Sequence, residues 1–517
     1  MPRTARRPRR RLLAALLVAL VSVAVAVTGC AGSSGAGAGT DPAGFVPASA
    51  PLYAEAVLGG NGQEQRDAQA ALAKILRTTD PQGEIVKLFD RGGGRFARDV
   101  EPWLGDRVGA AALTLGRGGD KIVAAASRDN AAAQAALARI APGAAQRTYR
   151  GVSYRVDTRR RGFAAGVVGD SVVFGTENGL KAAIDASKGN SLAEADALKQ
   201  ARSTVRKQRS AFLYVDVAGL LRQTLGNAGG PGAQLAPFVD PIAQALPKTF
   251  AAALDAEPGL LRLDSAAFGN GGGARPAASG ADALAALPGD AWLGFGVGEL
   301  GRTVSGFLDR VSATSPLAGV GVQALLGQAQ QNLGLDIRRD LLPWMGDAGV
   351  YVAGASADDA RAALVVASKD PAATRRTVDA LEKLARRDGD VTTLRAAGVD
   401  SGFAVKRSGG RPDLLVAAGG DRFVVASGRT ALTEALTASG DRLRDAPAFR
   451  DAAAKLGSGV RPSFFVDVQK LSGFSAATHG RDHTRELREY LGAFGAVVGG
   501  ARHDGDVTRG ETVATLR

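Results

Sequence analysis

The sequence predicts an α+β protein built from two tandem copies of a mostly antiparallel sheet domain with packed helices. Three observations carry that expectation. A set of landmarks recurs in the same order at offsets of 241 to 251 residues. Strand-like alternations outnumber helical ones and are joined by tight turns, and the βα alternation is too irregular for a doubly wound parallel sheet. A Gly/Ala/Pro-rich stretch, residues 269–282, separates the two halves.

Taken in order, residues 1–29 read as a signal peptide. The first eleven carry Arg3, Arg6, Arg7, Arg9, Arg10 and Arg11 and no acid. The uncharged apolar run from Leu12 to Val27 is 16 residues long, short of the roughly 20 a spanning helix needs. A basic head, a short apolar run and small residues before a cut describe a secretory signal. Cys30 stands directly after Val27-Thr28-Gly29, an arrangement that resembles the bacterial lipobox, so Cys30 is the expected lipidation site. It is the chain's only cysteine, which rules out an intramolecular disulfide, and thioether formation would remove an oxidisable thiol. The Arg9-Arg10-Arg11-Leu12-Leu13 stretch lacks the Ser/Thr lead-in of twin-arginine export, so general secretion is expected. Residues 30–44, nearly all small or polar, form a flexible tether. The expected location is therefore the outer face of the cytoplasmic membrane, anchored by lipid. The formal charge of +13 falls to +7 once the six signal arginines leave. Spread along so long a chain, that charge fits attraction to anionic lipid or wall polymer and argues against nucleic acid as a partner.

The first copy, residues 45–268, opens with the alternation Leu52 to Val57 and a helical pattern from Gln63 to Leu76 with Ala70, Leu72, Ile75 and Leu76 at helical spacing. After Pro102-Trp103-Leu104-Gly105-Asp106 come strand-like runs at Val108 to Leu115 and Lys121 to Ala126. Asp129 suits an N-cap for a helix to Ile140. Strands follow near Gln146 to Val156, Phe163 to Val168, Ser171 to Gly175 and Phe212 to Val217, and the copy closes with a hairpin through Glu257-Pro258-Gly259. The second copy, residues 283–517, repeats these landmarks. Pro343-Trp344-Met345-Gly346-Asp347 and Ser368-Lys369-Asp370 lie 241 residues on; Gly420-Asp421 and Phe465-Val466-Asp467-Val468 lie 251 on, after an insertion of ten. A hairpin around Asp504-Gly505 closes it.

Lipobox, spacer, Phe45-Val46-Pro47-Ala48-Ser49-Ala50-Pro51-Leu52-Tyr53 and Pro102-Trp103-Leu104-Gly105-Asp106 together resemble an uncharacterised lipoprotein family of high-GC Gram-positive bacteria, domain of unknown function 3352. The resemblance implies a surface-tethered protein and brings no catalytic residues with it.

The motifs for chemistry are sparse. Gly296-x-Gly298-x-x-Gly301 matches a dinucleotide fingerprint, but no acid follows about 20 residues on, and the first copy breaks the pattern at Gly59 to Gly62. His479 and His483 have an i, i+4 spacing, yet Gly480 weakens a helix there and a polar loop is expected. Asp504, Asp506 and Thr508 fit a hairpin turn better than a calcium loop. No G-x-S-x-G elbow or Ser-x-x-Lys occurs. No catalytic residue, metal site or cofactor is therefore assigned. The repeated turn (Pro102, Trp103, Gly105, Asp106; Pro343, Trp344, Gly346, Asp347) reads either as a surface aromatic motif for sugar or membrane or as a structural turn, and a feature kept in both copies favours the latter. The function expected is a non-catalytic binding or scaffolding module of the cell envelope, with envelope lipid, wall polymer or protein as partner. The alternatives are a carrier of lipids or other apolar envelope molecules, with Val320, Val322, Leu325, Leu326 and Leu333 as candidate cavity lining, and a wall-glycan-acting enzyme.

Overall fold

The computed structural model describes residues 40–58, 62–91, 95–116, 118–157, 162–207, 209–226, 240, 243–244, 246–269, 279–314, 316–407, 412–437, 440–479 and 490–517. The chain is α+β, with about 40% of the described residues in helices and about 35% in strands. It divides into two compact units, 1–239 with 247–268, and 240–246 with 269–517.

The first unit's strands are β1 Leu52–Val57, β2 Leu104–Ala112, β3 Lys121–Ser127, β4 Ala145–Tyr149, β5 Val152–Asp157, β6 Phe163–Val168, β7 Ser171–Thr176, β8 Ala211–Asp216, β9 Thr249–Glu257 and β10 Leu260–Phe268. Their antiparallel pairings run β4-β5-β6-β7-β3-β2-β1-β8-β9-β10. Tight turns make the hairpins: Arg150 and Gly151 join β4 to β5 at φ of 48° and 83°, the left-handed region that glycine enters freely. The helices are α1 Gly62–Leu76, α2 Pro81–Arg91, α3 Phe96–Asp99, α4 Asn130–Ile140, α5 Glu177–Ala186, α6 Asp196–Thr204 and α7 Val217–Gly226. Asp129 does cap α4, its Oδ1 accepting from the Ala132 amide at 2.9 Å. On one sheet face Ala56, Val108, Ala125 and Val172 meet Leu72 of α1, Phe96 of α3, Trp103 and the alanines of α4.

The second unit's strands are β11 Leu293–Val297, β12 Met345–Ala353, β13 Arg361–Ser368, β14 Val391–Thr393, β15 Ser401–Val405, β16 Leu414–Gly419, β17 Arg422–Ser427, β18 Arg461–Asp467, β19 Phe494–Asp504 and β20 Val507–Leu516. Their antiparallel pairings run β14-β15-β16-β17-β13-β12-β11-β18-β19-β20. Its helices are α8 Ala281–Ala285, α9 Leu300–Thr314, α10 Pro316–Leu333, α11 Pro371–Asp388, α12 Gly428–Thr437, α13 Pro447–Ala453 and α14 Val468–His479. Asp370 caps α11 through the Ala373 amide at 2.9 Å. Trp344, Ala348, Val366 and Phe423 gather on one sheet face beneath Leu300 of α9 and Val378 and Leu381 of α11.

Two local expectations change. β2 and β12 begin inside the Pro-Trp turns rather than after them, because irregularities between Leu104 and Val108 and between Met345 and Ala348 let pairing continue through the turn. His479 ends a helix instead of lying in a loop: Asp467 starts α14 by accepting from the amides of Gln469 and Lys470 at 3.1 and 3.0 Å.

Candidate functional site

Cys30 and His483 lie outside the described residues, as do the side chains of His479, Leu325 and Leu333. The two Pro-Trp turns are described in full. Pro102 and Pro343 are exposed, whereas Trp103 and Trp344 are buried, so neither indole presents a face for stacking on a sugar. Each turn is stitched to the end of the next strand through the tryptophan carbonyl, which accepts from Arg128 and Lys369 amides at 2.8 Å in both cases. A Cβ on Gly105 would stand 3.0 Å from the Ala126 carbonyl and one on Gly346 2.9 Å from that of Ala367, which is why glycine occupies both positions. The turns differ at the indole nitrogen. Trp103 Nε1 donates to the Asp99 carbonyl at 2.7 Å, but a π-helical stretch, Ile337–Leu341, precedes Trp344 and leaves its Nε1 without a partner. Asp347 accepts from the Glu299 amide at 2.8 Å; the Asp106 carbonyl accepts from Leu58 at 2.6 Å.

Two glycines of Gly296-x-Gly298-x-x-Gly301, the first and the last, serve close backbone approach. A Cβ on Gly296 would lie 2.0 Å from the Gly280 oxygen and one on Gly301 1.9 Å from the Leu342 oxygen. Val320 is exposed, Val322 is buried, and Leu326 packs beside it against α9.

Buried charge in the first unit is held in ion pairs. Glu55, on central strand β1, accepts from Tyr53 at 2.9 Å and pairs with Arg202 of α6 and, at 3.4 Å, with Arg209. Arg202 also grips Asp41 through two contacts of 2.6 and 3.0 Å. Burial alone would raise the Asp41 carboxyl, but the Arg202 hydrogen bond and charge and the Ala43 amide bring it below its ordinary value. Asp99 accepts two bonds from Arg98, at 2.8 and 2.9 Å, one from the Arg95 amide and one from Arg139. Those bonds, Arg98's foremost, hold its carboxyl at about 2 against an ordinary 3.8. Glu177 is lowered too, despite burial, by Arg147, Lys181 and Tyr154. Asp255 runs the other way: burial raises it, while the Ala256 amide and Arg206 at 4.0 Å offset only part of that. Carboxylates saturated by guanidinium groups are poor proton donors at neutral pH, so these clusters brace the fold. Their partners are far apart in sequence; the Arg202–Asp41 and Arg202–Glu55 pairs span 161 and 147 residues, which no local pattern could announce.

The second unit leaves an apolar row open. Phe464, Phe295, Val350 and Leu364 stand opposite one another on β18, β11, β12 and β13 and so share one face. Leu364 is covered by the cluster beneath α9 and α11. Phe295 is 49% and Val350 41% exposed, a contiguous pair of large apolar side chains turned to solvent. On the corresponding first-unit strands Leu213, Ala54 and Ala110 stand in register, and there α1 packs over β9. Among the described residues, no group of three or more His, Cys, Asp or Glu is placed to hold a metal, and no helix is long and apolar enough to cross a membrane.

The family described as "Protein of unknown function (DUF3352)" matches residues 12–479. The chain belongs to that family. No curated protein matches it. Among solved structures, crystal form IV of TP0453 is 13% identical with a TM-score of 0.26, covering 45% of this chain and 81% of that one. Crystal form I of TP0453 is 12% identical with a TM-score of 0.25, covering 45% and 79%.

Proposed function

We propose that this DUF3352 protein is exported by a high-GC Gram-positive bacterium, lipid-anchored through Cys30 on the outer face of the cytoplasmic membrane, and works there as a non-catalytic binding or scaffolding module made of two copies of one domain. Support for duplication comes from strand order and register. Ile122 opposite Gly175 and Phe163 opposite Thr176 have counterparts in Ala363 opposite Ala426 and Leu414 opposite Ser427, at the 241 and 251 offsets of the sequence. The isolated bridges Pro47–Ser191 and Pro288–Arg442 follow the same two offsets. The observation that carries the binding reading is the open row of Phe295 and Val350, a pair of large apolar side chains turned to solvent in the second unit. The same row favours a second reading, carriage of lipids or other apolar envelope molecules.

Two experiments test this. Labelled palmitate should enter the wild-type chain in a high-GC Gram-positive host and should not enter Cys30→Ala; equal labelling would refute the anchor. Native mass spectrometry with lipid extraction on residues 31–517 addresses the ligand. A stoichiometric lipid, lost in Phe295→Asp, makes carriage primary; a clean apo mass removes it and points to a protein or wall-polymer partner.

A further inference from the structure

The insertion that sets the second copy apart goes partly into α11. That helix runs 18 residues, Pro371–Asp388, where its first-unit counterpart α4 runs 11, Asn130–Ile140. At about 100° per residue, Arg376, Lys383 and Arg387 fall within about 20° of one line along α11. The opposite side carries buried Thr374, Thr377 and Val378, with Leu381 and Ala385 against the sheet cluster, so the line is the helix's solvent crest. All three cations are exposed, and none enters an ion pair among the described residues. The acids of α11 lie off the crest, Asp379 by about 60° and Glu382 and Asp388 by about 120°. Asp379 accepts from Ser401 at 2.6 Å, and Glu382 from Arg386 and Thr393. In contrast, α4 carries one charged residue, Arg139, which pairs with Asp99. The last residue of α4, Ile140, corresponds to Leu381 at the 241 offset, so Lys383 and Arg387 stand on the part of α11 that the first copy lacks.

Folding does not ask for this crest. Lys383 and Arg387 are four residues apart, a like-charge spacing that slightly destabilises a helix. The helix dipole favours cations only near the last turn, which accounts for neither Arg376 nor Lys383. A surface made merely soluble interleaves both signs, whereas here one sign is drawn out in a line. The helical rise sets the three cations about 10 and 6 Å apart, a row about 16 Å long. Such a row matches a linear polyanion, whose charges recur along its own axis. A bilayer fits it less well, because the crest's neighbours on the helix are Ala372, Asp379 and Ala380, with no large apolar side chain to enter the headgroup boundary. Arginine's planar fork suits carboxylate in particular. We infer that the crest of α11 is a docking line for an anionic polysaccharide, held by Arg376, Lys383 and Arg387. This rests on the reading of the chain as exported and makes its wall-polymer partner a polyacid.

The test titrates residues 31–517, which keep every described residue and lack the lipid, with polygalacturonate, a carboxylated polysaccharide, and with neutral dextran, in about 0.05 and about 0.5 M salt. The wild type should bind the first and ignore the second, and bind at least tenfold more weakly at the higher salt. Arg376→Gln/Lys383→Gln/Arg387→Gln should lower the affinity at least tenfold and flatten the salt dependence, with thermal unfolding unchanged because the three side chains face solvent. Arg429→Gln/Arg444→Gln/Arg450→Gln removes the same charge from exposed positions on α12, on the 443–445 turn and on α13, and should bind as the wild type does. Absence of binding, undiminished binding by the crest variant, or an equal loss in both variants would overturn the inference. So would crest-dependent binding to phosphatidylglycerol vesicles by a protein that ignores polygalacturonate, which makes a bilayer the occupant. The palmitate test is separate: a chain that takes no label yet binds through the crest loses the anchor and keeps the docking line, and a labelled chain that does not bind loses the docking line alone.

Discussion

Replacing Asp99 with Asn tests whether the charge at the foot of the first Pro-Trp turn stabilises the fold. Asp99 is 1% exposed, and its two bonds to Arg98 form a fork that holds the carboxyl at about 2 rather than 3.8. Because the folded value is the lower one, the stabilisation is complete above the unfolded value and disappears as pH falls from about 4 to about 2. A shift of that size corresponds to about 2.4 kcal/mol. Arg98 and Arg139 are half-exposed, so solvent screening reduces the expected figure to about 1–2 kcal/mol at pH 7. The first unit contains one tryptophan, Trp103, so urea unfolding followed by its fluorescence in a Trp292→Phe/Trp344→Phe background reports that unit. Asp99→Asn should lose about 1–2 kcal/mol at pH 7 and almost nothing at pH 2. Asp340, its counterpart, is exposed and accepts from the Asp336 amide at 2.9 Å, so Asp340→Asn should cost below about 0.5 kcal/mol. A loss from Asp99→Asn that persists undiminished at pH 2 would refute the assignment of the stability to this charge.

Arg202→Ala should destabilise the first unit by about 3 kcal/mol, because it leaves buried Glu55 with Arg209 as its one remaining cation among the pairs described; urea unfolding measures this, and a loss below about 1 kcal/mol would sink the role given to the network. Trp103→Phe should cost about 1 kcal/mol more than Trp344→Phe, since only the former loses an indole hydrogen bond, and equal losses would contradict that geometry. Gly296→Ala should cost about 2–3 kcal/mol through the clash with the Gly280 oxygen, whereas Gly473→Ala, with nothing within 4 Å of the new Cβ, should stabilise α14 by about 0.5–1 kcal/mol. Thermal melts of the two glycine variants should therefore move in opposite directions.

Features set by neighbours in sequence were the legible ones. Phe163–Val168 falls on the strand expected from alternation and Leu260–Phe268 on the second arm of the hairpin expected through Glu257-Pro258-Gly259, and Asp129 caps its helix because a carboxylate three residues before an amide needs no tertiary context. The start of β2 was hidden, because the irregularity at Leu104 to Val108 depends on what β3 offers opposite. The Arg202 cluster was hidden because it joins three distant segments. The open pair was hidden too: Phe295 and Val350 come opposite one another only through the register of β11 and β12, and no local pattern says whether a helix covers them. That depends on the path of α9, which turns toward β12 and the Leu342–Trp344 segment.

The central strands bear on where function resides. In the first unit buried Tyr53 on β1 stands opposite Ala111 on β2; in the second, Gly294 on β11 stands opposite buried Tyr351 on β12. On the duplication reading these are the same cross-strand pair, with the ring moved from one strand to the other. Volume at the site is conserved, which is what a close-packed sheet interior requires. The hydroxyl's partners come from different elements. Tyr53 donates to Glu55 at 2.9 Å; Tyr351 donates to the Ala431 carbonyl at 3.2 Å and to Glu434 at 3.5 Å. Gly296 occupies the place of Glu55, and α8 packs so closely there that a Cβ on Gly294 would meet Leu284 at 2.8 Å. Each unit thus has an ion-paired carboxylate at its tyrosine, Glu55–Arg202–Asp41 in the first and Glu434–Arg361–Asp290 in the second. A network built from different positions in the two units serves packing. The uncovered Phe295 and Val350 and the uncharged α10 fall in the second unit, so the proposed binding role draws on that unit.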